Sequence, residues 1–251
     1  MKKTAFITGA TSGIGKATAT IFAQNNIRLI LCGRRAERLT ALQKELSKLT
    51  EVITLQFDVS KRTEVETAIN SLPANFKEID ILINNAGNAH GLSTIQDGNI
   101  DDWDAMIDIN VKGLLYVSKA IIPKMIKINT GFIVNIGSVA AKEVYPNGNV
   151  YCASKHAVDA LNKAMRIDLN KHSIRVSAIH PGAVETEFSE VRFKGDTRKA
   201  ESMYAGYKAL QAEDIADIIH FVVTRPYHVN IEDLVVYPVA QASPTIFNKD
   251  A

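Results

Sequence analysis

Thr4-Ala5-Phe6-Ile7-Thr8-Gly9-Ala10-Thr11-Ser12-Gly13-Ile14-Gly15 decides the fold. Thr4 to Ile7 is a short apolar run of the kind buried in a parallel sheet. The glycine-punctuated turn leads into a helical pattern from Lys16 to Asn25. Strand, glycine turn and helix in that order form a phosphate-binding unit. Gly9 permits the tight turn, and Gly13 lets backbone N–H groups approach a pyrophosphate. The helix N-terminus adds unpaired donors and partial positive charge. The spacing is G-x-x-x-G-x-G rather than G-x-G-x-x-G.

The next strand, Arg28 to Leu31, ends in Cys32-Gly33-Arg34-Arg35. A carboxylate at this point would bind a ribose 2′-hydroxyl, whereas an arginine pairs with a 2′-phosphate. NADP is therefore expected over NAD, with Arg34 the better candidate and Arg35 the second. Leu39, Leu42, Leu46 and Leu49 share one face of a helix expected over Ala36 to Leu49. Val52 to Phe57 is a third strand, closing on Asp58-Val59, where Asp58 is either an adenine acceptor or a loop carboxylate. Ser60 is expected to cap a helix to about Leu72. Ile79 to Ile83 is a fourth strand, ending in Asn84-Asn85-Ala86-Gly87 with room for a ribose. Asp101 to Asn129 reads as helix, broken or bent near Pro123, and Gly131 to Ile136 as strand. A helix over Val150 to Lys171, a strand over Ile174 to Ile179, a helix over Glu213 to Val223 and a strand over Leu234 to Tyr237 follow. Residues 186–206 are polar and too long for a simple connector, which suits a lid. The tail from Pro238 shows no pattern.

Alternating strands and helices imply an α/β fold: one Rossmann-like doubly wound parallel sheet of about seven strands, with helices on both faces. The chain has 251 residues and no linker or repeat, so residues 1–251 are expected to form a single domain. A formal charge of +2 excludes a nucleic-acid footprint. No apolar run is long enough for a membrane span, and Met1-Lys2-Lys3-Thr4 runs into a strand without a signal segment. Cys32 and Cys152 lack metal-ligand spacing; no metal is expected, and two reduced thiols suit the cytoplasm.

Tyr151 and Lys155 lie one helical turn apart on one face, and Ser138 follows a strand end. A phenol titrates near pH ~10, and an adjacent ammonium favours its ionised form. Lys155 is thus expected to lower the Tyr151 pKa.

Thr8-Gly9-x-x-x-Gly13-x-Gly15, Asn84-Asn85-Ala86-Gly87, Asn110, Ser138, Tyr151-x-x-x-Lys155 and Pro181-Gly182 together resemble the short-chain dehydrogenase/reductase family over essentially the whole chain. The resemblance implies that Tyr151 is the acid/base, that Ser138 binds the substrate oxygen, and that Lys155 also holds the nicotinamide ribose. It implies that Asn110 holds a water leading from Lys155 to solvent. It places Gly9, Thr11, Ser12, Gly13, Ile14, Gly15, Arg34, Arg35, Asp58, Val59, Asn85, Ala86, Gly87, Tyr151, Lys155, Pro181, Gly182, Val184 and Thr186 on NADP. Phe188 to Asp196, His228 to Ile231 and Pro238 to Gln241 resemble more narrowly the NADP-dependent 3-hydroxy acid dehydrogenases, which act on serine, L-allo-threonine or 3-hydroxypropionate. The chain departs from that group at Ala183-Val184-Glu185-Thr186, on the nicotinamide side of the pocket.

A hydroxy acid needs a cation, and Arg192 and Lys194 on the lid are candidates, with His90 and Asn147 near the cleft. A broad carbonyl or 3-oxoacyl reductase is the alternative enzyme; an epimerase would need an extra domain. A non-catalytic NADPH sensor would not need Ser138, Tyr151 and Lys155 together. The long helices, with Val158, Leu161, Met165 and Leu169 in a stripe, suit either sheet packing or self-association. The family resemblance implies a homotetramer or dimer.

Overall fold

The computed structural model describes residues 2–249; Met1 and residues 250–251, part of the expected domain, lie outside the described residues. The strands are β1 (Thr4–Ile7), β2 (Arg28–Gly33), β3 (Val52–Gln56), β4 (Ile81–Asn84), β5 (Gly131–Ile136), β6 (Ile174–Pro181), the two-residue β7 (Val184–Glu185) and β8 (Leu210–Gln211), and β9 (Asp233–Val236). The helices are α1 (Gly13–Gln24), α2 (Ala36–Leu46), α3 (Arg62–Asn70), α4 (Ile100–Ile107), α5 (Leu114–Ile128), α6 (Asn149–Leu169), α7 (Phe188–Arg192), α8 (Thr197–Ser202) and α9 (Ala212–Val223).

Seven strands form one parallel sheet in the order β3-β2-β1-β4-β5-β6-β9, and β7 pairs with β8 beside it. Successive strand residues alternate between two cores. Ala5, Ile7, Leu29, Leu31, Ile83 and Val134 face α1, α2 and α9. Phe6, Ile30, Leu82, Ile133 and Val176 face α3, α5 and α6. Both faces are therefore covered, as an all-parallel sheet requires. The strand order reverses between β1 and β4, which opens a crevice at their carboxyl ends.

Three local expectations are corrected, and a fourth, left open, is resolved. Leu49 is half exposed, because α2 ends at Leu46 and turns away before it. Ser60 does not cap α3; its N–H and hydroxyl both donate to Asp58 Oδ1 instead. The irregularity in the long helix is not at Pro123, which lies inside α5, but at a π-turn over Asp108–Gly113. That extra residue per turn carries Asn110 inward, as π-turns near functional sites do. The stripe of α6 packs on the sheet: Val158, Met165 and Leu169 are buried in the second core and Leu161 packs against it.

Candidate active site

A cavity of about 590 Å³ sits at the crevice, with the glycine turn, the α6 pair and α7 among its walls. Gly9 and Gly13 both have positive φ (64° and 49°), a region L side chains rarely adopt. A Cβ on Gly15 would lie 2.4 Å from the Gly9 carbonyl, so only glycine lets α1 start against the turn. Thr8 Oγ1 accepts from the N–H groups of both Asn85 and Ala86, and Asn85 Nδ2 donates to the Thr8 carbonyl. These bonds tie the ends of β1 and β4 into one floor. Gly9, Thr11, Ser12, Gly13, Ile14, Asp58, Val59, Asn85, Ala86, Gly87, Pro181, Gly182, Val184 and Thr186 all line the cavity. Gly15 lies behind it as packing.

At the far end both arginines line the cavity but behave differently. Arg34 is mostly exposed and 3.6 Å from Asp58, whose other oxygen holds Ser60. Arg35 is fixed in place: it donates to Thr11 Oγ1, to Ser12 Oγ and to Glu187. Arg38 grips the other oxygen of Glu187. The better-held guanidinium is therefore Arg35, because Thr11 and Ser12 on the glycine turn fix it in place.

At the near end, α6 begins so that Tyr151 and Lys155 face Ser138 at the end of β5. Ser138 Oγ accepts the Ala140 N–H at 3.1 Å, and the Ser138 side chain lies near enough to the Tyr151 phenol to oppose the rise of its pKa. The Lys155 Nζ donates to the Ile136 carbonyl at 3.0 Å and lies 6.0 Å from the Tyr151 ring centroid. Desolvation lowers the Lys155 pKa to about 8. Tyr151 is 8 % exposed, and burial pushes its phenol upward, reinforced by Tyr145 and opposed by Ser138 and Arg192. Burial dominates the phenol, while Lys155, its Nζ on the Ile136 carbonyl, keeps its charge beside it. Tyr151 is held as a proton-bearing phenol.

The Asn110 amide donates to the Asn88 carbonyl and Ser154 Oγ, and its oxygen accepts the Asn88 N–H. Both N–H bonds go to protein, so the side chain braces the Asn88 segment against α6.

Arg192 turns inward from α7 and is only 8 % exposed. Its Nη2 donates to the Tyr145 hydroxyl at 3.0 Å and its Nε to the Gly91 carbonyl at 3.3 Å. The guanidinium carbon lies 5.5 Å from the Tyr151 ring centroid. Among the described residues it forms no ion pair. Lys194 points elsewhere, pairing with Asp102. His90 and Asn147 line a small adjoining recess that shares Leu92, Tyr151 and Arg192 with the main cavity, and His90 pairs with Asn88. Of the stretch where the sequence departs from the group, Ala183, Val184 and Thr186 line the main cavity, whereas Glu185 does not and accepts from Gln211 across the β7–β8 pair.

Sequence reading missed Tyr145, Phe188, Tyr204, Tyr207, Gln241 and Phe247, which also line the cavity. Phe188 stacks on Tyr151 at 5.7 Å, and Gln241 accepts the Ala183 N–H from the patternless tail. Phe188 and Gln241 fell inside stretches that carried the narrower resemblance without being assigned to the site, and the isolated tyrosines and Phe247 carry no periodic signal.

A glycine-turn cradle on a doubly wound sheet, facing a serine, tyrosine and lysine cluster, defines a dinucleotide-binding oxidoreductase. The chain belongs to the short chain dehydrogenase family, whose profile matches residues 3–197. It is 45 % identical over 237 residues to the NADP-dependent 3-hydroxy acid dehydrogenase YdfG of Salmonella typhi, covering 94 % of this chain and 95 % of that one. It is 44 % identical over 243 residues to sulfoacetaldehyde reductase 2 of Chromohalobacter salexigens, covering 96 % of each. Among solved structures it resembles the closed form of serine dehydrogenase complexed with NADP+, at 43 % identity and a TM-score of 0.92, covering 95 % of this chain and 96 % of that one.

Proposed function

We propose that this protein is an NADP-dependent oxidoreductase interconverting short 3-hydroxy acids and their 3-oxo forms. The buried, ion-pair-free Arg192 guanidinium beside Tyr151 carries the acid part of that reading. A buried cation without an anion is unfavourable unless a ligand supplies one. Two of its five N–H bonds are spent on Tyr145 and Gly91, leaving a fork for a carboxylate. A sulfonate fits the same fork, and the 44 % identical sulfoacetaldehyde reductase supports including it in the substrate class.

The glycine cradle, the cavity it lines and the anchored Arg35 fit NADP, with Arg35 toward the 2′-phosphate. NADP, when bound, supplies or accepts the hydride. Tyr151 passes a proton to, or takes one from, the substrate oxygen, which Ser138 holds by hydrogen bond. Burial favours the protonated phenol, the form that donates to the substrate oxygen in the reductive direction. Lys155 supplies positive potential on the cofactor side and Arg192 on the acid side. Residues 186–206, now two short helices, act as the lid, and the described residues behave as one catalytic domain.

Buried free Cys32 and Cys152 support a reducing, cytoplasmic setting. No helix among the described residues is long and apolar enough to cross a membrane. Half-exposed Leu115 and Ile167 on α5 and α6 support self-association as a dimer or tetramer, which light scattering would measure.

Initial rates with NADP(H) and NAD(H) test the function on serine, L-allo-threonine, 3-hydroxypropionate, sulfoacetaldehyde and a neutral secondary alcohol. Arg192→Ala should lower kcat/KM for the acids roughly 10- to 200-fold, from ~1.5–3 kcal/mol per charged hydrogen bond. The neutral alcohol should change little; equal losses on both classes rule out the acid-binding role.

A further inference from the structure

His180 is fully buried at the end of β6, directly behind Ser138, and has no part in the chemistry proposed above. Its ring packs onto Gly137, where an added Cβ would sit 2.2 Å from Nδ1. Three groups from distant parts of the chain surround its outer edge. Nε2 lies 3.5 Å from Asp159 Oδ1 on α6 and 3.4 Å from Asp233 Oδ1 on β9, and it has no closer partner. Lys142, just after the Ser138 turn, bridges the same two carboxylates, donating to Asp159 at 2.9 Å and also to Asp233. Lys163 holds the second oxygen of Asp159 at 2.7 Å.

The inner edge meets the Ser138 main chain. Nδ1 is 3.4 Å from the Ser138 nitrogen and 3.2 Å from its carbonyl oxygen. The carbonyl already accepts the Ala141 N–H at 2.8 Å, so it does not need a donor from His180. The Ser138 N–H has Nδ1 as its acceptor. A buried N–H left without one is unfavourable by ~1–3 kcal/mol. If the proton sat on Nδ1, it would face the Ser138 N–H, and the bare Nε2 would face two carboxylates. With the proton on Nε2, both edges are complementary. The carboxylate contacts are longer than tight hydrogen bonds and act by charge, which selects the tautomer as carboxylates behind a histidine do.

We infer that His180, held by Asp159, Asp233 and Lys142 in its Nε2–H tautomer, is a positioning residue that accepts the Ser138 N–H and thereby aims the Ser138 hydroxyl at the substrate oxygen. This rests on the oxidoreductase reading given above. Fixing that hydroxyl matters because a misplacement of about 1 Å in a reacting group can lower the rate ~100-fold. Nothing in the local sequence marks His180, since its partners come from residues 142, 159 and 233.

Two amide replacements separate positioning from space filling. Asparagine places its side-chain oxygen near the Nδ1 position, whereas glutamine, closer in size to histidine, reaches toward Nε2. In the NADPH-loaded protein, His180→Ala and His180→Gln should each lose about 10- to 100-fold in kcat. Substrate KM and NADPH binding should stay within about twofold, and His180→Asn should recover most of the loss. Equal rates for the Asn and Gln variants, or losses confined to KM, would overturn the inference. Histidine ¹⁵N spectra of the wild-type protein give a test that needs neither activity nor a folded variant. A protonated Nε2 with bare Nδ1 on His180 is expected, and the opposite tautomer would sink the inference. Should wild-type protein turn over nothing in the substrate panel, the functional reading fails while the spectra still decide the tautomer.

Discussion

Lys155→Met should make the protein more stable while abolishing its proposed activity. Lys155 is 6 % exposed, its Nζ has the Ile136 carbonyl as partner, and desolvation lowers its pKa from 10.5 to about 8. At ~1.36 kcal/mol per pH unit, keeping it charged destabilises the fold by about 3 kcal/mol at pH 7. Methionine keeps much of the stem's packing and removes the charge, but it strips the Ile136 carbonyl of its donor, a loss of ~1 kcal/mol. The net gain is about 2 kcal/mol, or roughly 4–8 °C in Tm for a chain of this size.

The sign of the pH dependence is specific. Below about pH 8 folded and unfolded chains both hold the proton, and the destabilisation is complete. Between about 8 and 10.5 the unfolded chain binds more protons, so wild-type stability rises with pH relative to the variant. Above 10.5 the penalty is gone and only the lost hydrogen bond remains, so the order of stabilities reverses. Urea unfolding of both proteins at pH 7, 9 and 10.5 reads this directly. A variant less stable than wild type at pH 7, with a gap that does not move with pH, would refute the reasoning.

Arg35→Ala should weaken NADP binding roughly 10-fold or more and leave NAD nearly unchanged, since the guanidinium anchored by Thr11 and Ser12 is the expected partner of the 2′-phosphate; calorimetric titration with both cofactors measures the ratio. Gly15→Ala should destabilise by ~1–3 kcal/mol in thermal melts, because its Cβ would meet the Gly9 carbonyl at 2.4 Å. Asp159 has a lowered pKa, opposing its burial through hydrogen bonds to Lys163 and Lys142. Its contribution is present above the ordinary carboxylate pKa near 3.8 and is lost as pH falls through the lower folded value, so Asp159→Asn should flatten the acid limb of the stability curve.

Most of the sheet was legible because parallel strands buried on both faces are continuous apolar runs ended by glycine or amide residues. β1 and β5 have the expected bounds, while α1 starts at Gly13, three residues before the expected Lys16. The π-turn was not legible, since its cause is Asn110 reaching Asn88 and Ser154, contacts that exist only after folding. Tyr151, Lys155 and Ser138 could be named from spacing, but the electrostatics could not. Helical proximity suggested that Lys155 would depress the phenol, whereas burial, which spacing does not show, pushes it up. Arg192 could be nominated from its charge; its distinction from Lys194 needed the fold, which pairs one with Asp102 and leaves the other facing Tyr151.

Six residues of the lid link the two ends of the cavity. Glu187 holds Arg35 and Arg38, Phe188 stacks on Tyr151, and Arg192 reaches Tyr145. A rigid helical turn connects them, so the position of α7 is set jointly by the cofactor-side arginines and the substrate-side phenols. Glu187 and a 2′-phosphate are anions drawn to the same Arg35. Its two ion pairs are partly exposed and together are worth only ~0.5–2 kcal/mol, a strength that ligand binding can overcome. Glu187→Gln should therefore tighten NADP binding about 2- to 10-fold without affecting NAD, and this gain should shrink with added salt. The same change loosens the hold on α7, so KM for an acid substrate should rise while that for a neutral alcohol stays constant. If NADP and NAD affinities shift together, Glu187 is only a surface anchor and the two ends of the cavity are independent.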